Sequence, residues 1–66
     1  MVNFEVLREI MQKKEYSSLL LSQNLNMSHS EFLSKACGSM EFTVSEIYGI
    51  ATALELTPDE LSDIFF

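Results

Sequence analysis

Sixty-six residues at 47% hydrophobic carry one small core and no more, and a formal charge of −6 sets the chain against phosphate backbones at long range. A lone cysteine, Cys37, excludes an internal disulfide, and one histidine leaves neither a nucleophile–base pair nor a metal cluster. The longest apolar runs, such as Leu19-Leu20-Leu21, fall far short of a bilayer span, and no basic n-region precedes an apolar stretch, so a cytoplasmic location is expected.

In chain order, Asn3 can cap a first helix whose apolar face is Phe4, Leu7, Ile10 and Met11. Lys13 and Lys14 close it, where cations suit the helix dipole. Ser17 caps a second helix, with Tyr16 and Leu21 as its apolar staple and Leu21 and Leu25 on one face. Asn24 to Ser28 reads as a turn, in which Asn26 tolerates the left-handed conformation. The third helix runs from about His29 to Cys37 and is stopped by Gly38. After a connector, Ser39 to Phe42, Ile47, Ile50, Ala51 and Leu54 follow the i, i+3, i+4, i+7 pattern of a fourth helix. That helix is expected to be the central one. Pro58 opens a fifth helix with Leu61, Ile64 and Phe65 on its inner face.

Three of these starts share one signature. Ser28-x-x-Glu31, Thr43-x-x-Glu46 and Thr57-x-x-Glu60 are capping boxes, each with a staple pair: Met27 with Phe32, Phe42 with Ile47, Leu56 with Leu61. In such a box the first side chain accepts from an orphaned backbone N–H of the new helix, and the Glu reaches back to the cap residue's own N–H. No segment alternates with period two, so the expectation is an all-α, compact bundle of five short helices in one domain, residues 1–66.

The charge is lopsided. All four basic residues (Arg8, Lys13, Lys14, Lys35) lie in residues 1–35 and are balanced there by four acids, whereas residues 36–66 hold six acids and no base.

From Lys14 to Leu61, without a gap, the pattern resembles the helix-turn-helix domain of the lambda repressor and Cro family. Ser17 to Ser28 is similar to that family's helix-turn unit: Leu21 and Leu25 stand at core positions, Ser22 where a small residue lets two helices touch, and Asn26 at the turn glycine. Gly38 matches the glycine that ends the recognition helix; Ile47 to Leu54 and Leu56 to Leu61 resemble the fourth and fifth helices. The unit then spans about 17–37. The resemblance implies a small phage- or mobile-element-like transcriptional regulator that binds double-stranded operator DNA, without a cofactor, as a homodimer with helix 3 in the major groove. Carried onto this chain, base-facing candidates are His29, Ser30 and Ser34, with Leu33 and Lys35 at the flanks; phosphate candidates are Ser18, Lys13, Lys14 and Ser39. Phe65 and Phe66 extend the core or join a dimer seam at helix 5.

The family usually has an amide side chain where this chain has Ser18, and polar residues where it has Leu19 and Leu20. Leucines at 19, 20 and 33, with Met40 in the next loop, would then face outward on the side that meets DNA, which opens a second reading. In it, the same fold is an antirepressor that grips a partner repressor protein through helices 2 and 3 and blocks its DNA contacts. Glu31 reads as a cap, His29 equally as a base reader or a solvated residue, and Cys37 as an ordinary half-buried thiol.

Overall fold

The computed structural model describes residues 2–66, and among them every regular element is helical: α1 Phe4–Lys13, α2 Ser18–Asn24, α3 His29–Ala36, α4 Val44–Ala53 and α5 Pro58–Phe65. Each begins where a side-chain oxygen takes an orphaned amide. Asn3, Ser17, Ser28, Thr43 and Thr57 all hold extended backbone and accept from the third residue onward.

Two of the three boxes close in both directions. The Glu46 and Glu60 carboxylates each accept the cap residue's amide at 2.9 Å. The third does not: Ser28 accepts from the Glu31 amide at 3.0 Å, but the Glu31 carboxylate turns instead to Lys35, 3.4 Å away. A cation one turn along the helix outcompetes a neutral N–H for a carboxylate. Replacing Thr43 with Ala is expected to cost about 1 kcal/mol in a thermal or urea melt. Thr57→Ala should cost less than that, because Pro58 already fixes the helix start.

Four helices end in left-handed backbone, at Glu15, Asn26, Gly38 and Glu55, with φ of 55°, 57°, 97° and 51°. Asn26 and Gly38 suit that conformation; Glu15 and Glu55 do not, and there the closure is held by bonds across the stop. The Tyr16 amide reaches the Met11 carbonyl at 2.8 Å and the Leu56 amide reaches Ala51 at 2.9 Å. α3 accordingly stops one residue short of the expected end, with Cys37 as its cap.

Leu7, Leu21, Phe32, Ala36 and Ile50 are wholly buried, joined by Ile10, Met11, Leu54, Ile64 and Phe65. Phe42, from the connector, sets its ring 5.9 Å from that of Phe32 and 6.0 Å from that of Phe65, and so ties α3 to α5. The closest helix pairs are α2 with α3, α2 with α4, and α1 with α5. α2 thus has two such neighbours, while α4 meets α2 by backbone approach and reaches α3 and α1 through the Glu46–Lys35 pair and the Lys14 bond to its end. Of its core candidates, Ile50 and Leu54 are buried and Ile47 is only half-buried. Gly49 explains the α2–α4 approach, since a Cβ there would stand 2.7 Å from a Leu25 methyl. The first and last helices are pinned as well: the Asn3 amide donates to the Ile64 carbonyl at 2.7 Å. Among the described residues, no helix is long and apolar enough to cross a membrane.

Candidate functional site

The turn between α2 and α3 fixes the one surface on which most of the singled-out residues meet. The Met27 amide returns to the Ser22 carbonyl at 3.1 Å across the left-handed Asn26, which turns α3 sharply away from α2. Ser22 is buried at the contact, its hydroxyl donating to the Leu19 carbonyl at 2.6 Å. A larger side chain would push the helices apart.

Phe32, Lys35 and Ala36 form the inward stripe of α3. The opposite side presents His29, Ser30 and Leu33, all exposed, with Ser34 half-exposed behind them. Together with Phe4 and Cys37 these line one shallow concavity. The Ser18 hydroxyl lies 2.7 Å from His29 Nε2, which joins the first turn of α2 to the first turn of α3. A second groove adjoins it between α1 and α2, walled by Phe4, Arg8, Met11, Tyr16, Ser18 and Leu33. At its edge the Arg8 guanidinium sits 5.8 Å from the centre of the Phe4 ring.

Between residues 16 and 40 the only charged side chains are Glu31 and Lys35, and they pair with each other. The face thus has no exposed lysine or arginine of its own, because the Lys35 ammonium lies inward between Glu31 and Glu46. It offers hydroxyls, amides and an imidazole, which can donate to or accept from base edges or phosphate oxygens. Among these groups stand exposed leucines: Leu19 at 51%, Leu20 at 46% and Leu33 at 40% exposure. Met40 is exposed further along, in the loop that also carries Ser39.

Two of the basic candidates are committed elsewhere. Lys35 is buried rather than flanking the exposed row: its ammonium sits 2.8 Å from both Glu46 oxygens. The Glu46 bonds, followed by the Glu31 contact, overcome the cost of burial and raise the lysine above its ordinary value. Periodicity carried the signal, because Lys35 stands three residues after Phe32 and next to Ala36 on the inward stripe. Lys14, on the other hand, turns its ammonium to the end of α4, donating to the Leu54 carbonyl and to that of Glu55 at 3.2 Å, with Glu60 3.9 Å away. It neutralises orphaned carbonyls at the negative end of that helix. Lys13 and Arg8 remain exposed, and neither makes an ion pair among the described residues.

One open alternative resolves, at Phe65, and one further expectation changes, at Cys37. Phe65 is buried and completes the core, so only Phe66, at 90% exposure, stays free at the end of α5. Cys37 is exposed, not half-buried, and the Ser39 hydroxyl and amide hold its thiol below the ordinary value. Among the described residues no cluster of three His, Cys, Asp or Glu side chains has the geometry for a metal ion.

Glu46 answers both to a cation and to a capping amide. Burial pushes it up, but the Lys35 ammonium and the Thr43 amide together outweigh that and hold it below its usual range. Glu60 is held low chiefly by the Thr57 amide, with help from the Lys14 charge. Both groups bind protons less readily in the native state than in the unfolded chain. Their contribution is complete above the ordinary glutamate value of about 4.3 and is lost as pH falls through the native values. Lys35 behaves oppositely: its contribution persists through neutral pH and disappears only as pH rises past its native value, above the usual lysine range. Melts should therefore show a flat plateau at neutral pH and an acid-side decline that shrinks in Glu46→Gln.

Comparison with known protein families, with curated proteins and with solved structures finds no match.

Proposed function

We propose that the chain is a lambda repressor/Cro-like helix-turn-helix regulator that binds operator DNA through α3, as a dimer. The observation that carries this reading is the α2–turn–α3 unit, whose outward row is uncharged and rich in hydrogen-bonding groups. His29 and Ser30 stand at the exposed start of α3, and Ser18 ties His29 to α2. The N-terminal residues of a recognition helix are those that reach base edges in such units. The −6 does not forbid this, because the unbalanced acids belong to residues 36–66, outside the unit.

With Lys14 and Lys35 engaged internally, Lys13 and Arg8 are the remaining cations for phosphates, and the salt-dependent part of the affinity is small. Lys13→Ala should weaken binding to all sequences alike and flatten the salt slope by roughly one unit. Ser30→Ala or His29→Ala should instead relax preference at particular base pairs.

One observation favours a second reading, an antirepressor that captures a partner repressor protein: Leu19, Leu20 and Leu33 are exposed on this same face. In that case Leu19→Asp, Leu20→Asp or Leu33→Asp abolishes capture while the Lys13 and Ser30 variants act normally. The discriminating experiment runs a low-salt DNA shift and a pull-down on both sets, with melting curves alongside. Loss confined to the leucine set rejects DNA binding.

A further inference from the structure

We propose that the groove between α1 and α2 is a ligand site for a short apolar peptide with both ends free, its carboxylate on Arg8 and its ammonium on Glu15. The inference does not depend on the DNA-binding reading, which uses the outward row of α3.

The groove follows one side of α1. Phe4, Arg8, Met11 and Glu15 succeed one another at three- and four-residue steps, so they stand in one line, and all four border it. Met11 and Phe32, both buried, form its floor, with Phe4, Tyr16 and Leu33 at the sides. Its volume is about 380 Å³. That lies within the range of clefts that hold small ligands.

Two charges of opposite sign stand on this apolar strip. Arg8 and Glu15 are exposed, and neither belongs to an ion pair among the described residues. The Arg8 guanidinium lies over the Phe4 ring at 5.8 Å, which holds its planar fork at the mouth of the groove. Two turns of helix put Glu15 about 10 Å further along, too far for the two to pair with each other. The remaining polar side chains of the groove, Gln12, Ser17 and Ser18, are uncharged.

This pattern selects the occupant. An uncharged apolar molecule leaves both groups unused, and a single anion such as a fatty acid answers Arg8 but brings nothing to Glu15. A polyanion meets Glu15 as like charge. What fits is a carboxylate and an ammonium about 10 Å apart with apolar groups between, and an extended chain covers that distance in about three residues. The guanidinium takes a terminal carboxylate through two parallel bonds, while apolar side chains rest on Met11, Phe32 and Leu33. A zwitterion carries no net charge, so the −6 of the chain does not repel it. Both charged contacts lie at the surface, so the affinity is modest, with a Kd of about 1 mM or tighter.

Titration of the isotope-labelled protein with the tripeptide Leu-Leu-Phe, followed by amide chemical shifts, tests this. Saturable shifts are expected along the groove, at Arg8, Met11, Tyr16 and Leu33. Amidating the peptide's C-terminus, or acetylating its N-terminus, should weaken binding by about threefold or more. Arg8→Gln should weaken the free peptide by the same factor and leave the amidated one unaffected, because both changes remove one contact. Glu15→Gln should stand in the same relation to the acetylated peptide. Both positions are exposed, so circular dichroism melts of the variants should match the parent. No saturable shift up to about 5 mM peptide would overturn the inference. So would shifts centred on Leu19 and Leu20, or an amidated peptide that binds like the free one. Equal binding of the acetylated peptide would reject a free peptide in favour of a protein's C-terminal tail.

Discussion

Ile50→Ala is expected to lose on the order of 2–5 kcal/mol, enough to leave much of the chain unfolded near body temperature. Ile50 is wholly buried, and beside it α4 approaches α2 at Gly49, where a Leu25 methyl fills the space a Cβ would take. Where in that range the loss falls depends on how far the neighbouring side chains close on the space, an unrelaxed cavity being the costly kind. A urea titration or thermal melt followed at helix wavelengths measures the loss. A stability equal to the parent would mean that Ile50 is not in the core. Ile47→Ala, at a half-buried position, should lose clearly less.

Glu46→Ala is the second large effect, on the order of 2–3 kcal/mol, below the 3–5 typical of a fully buried pair because the carboxylate keeps 21% exposure. The change removes both 2.8 Å bonds to Lys35 and the bond from the Thr43 amide, so a buried ammonium is left with only the longer Glu31 contact. Glu46→Gln should cost less, since the amide oxygen can still accept from the lysine. The double variant Glu46→Leu, Lys35→Met should recover much of the loss, because an apolar pair replaces a buried ionic one with no charge stranded. If the double variant is as unstable as Glu46→Ala, the damage lies in the Thr43 cap and not in the ion pair.

What was legible in the sequence was whatever chemistry is local. Each cap lies three residues from the amide it serves, so Ser17, Ser28, Thr43 and Thr57 could be read directly, as could the stops at Asn26 and Gly38. The stops at Glu15 and Glu55 were not legible, because glutamate carries no preference for left-handed backbone. The basic residues misled for a different reason. Lys14 finds the end of α4 forty residues away, and Lys35 finds Glu46 eleven residues away, across an interhelix contact that no periodicity encodes. The surface unit of α2 and α3 was visible as a pattern; how few cations it can offer was not.

The bond from the Asn3 amide to the Ile64 carbonyl closes a loop around nearly the whole chain. Asn3 has an exposed side chain at the very edge of α1, where amides ordinarily exchange with solvent deuterium as the helix end frays. This one is held by the last turn of α5, so it exchanges only when that turn, with Ile64 and Phe65, lifts from the start of α1. Its exchange rate thus reports how often the two ends of the chain part. Joining residues 2 and 66 by a short linker and cutting the chain in the Ser39–Phe42 connector should, by the same closeness of the ends, yield a permuted protein with the same five helices.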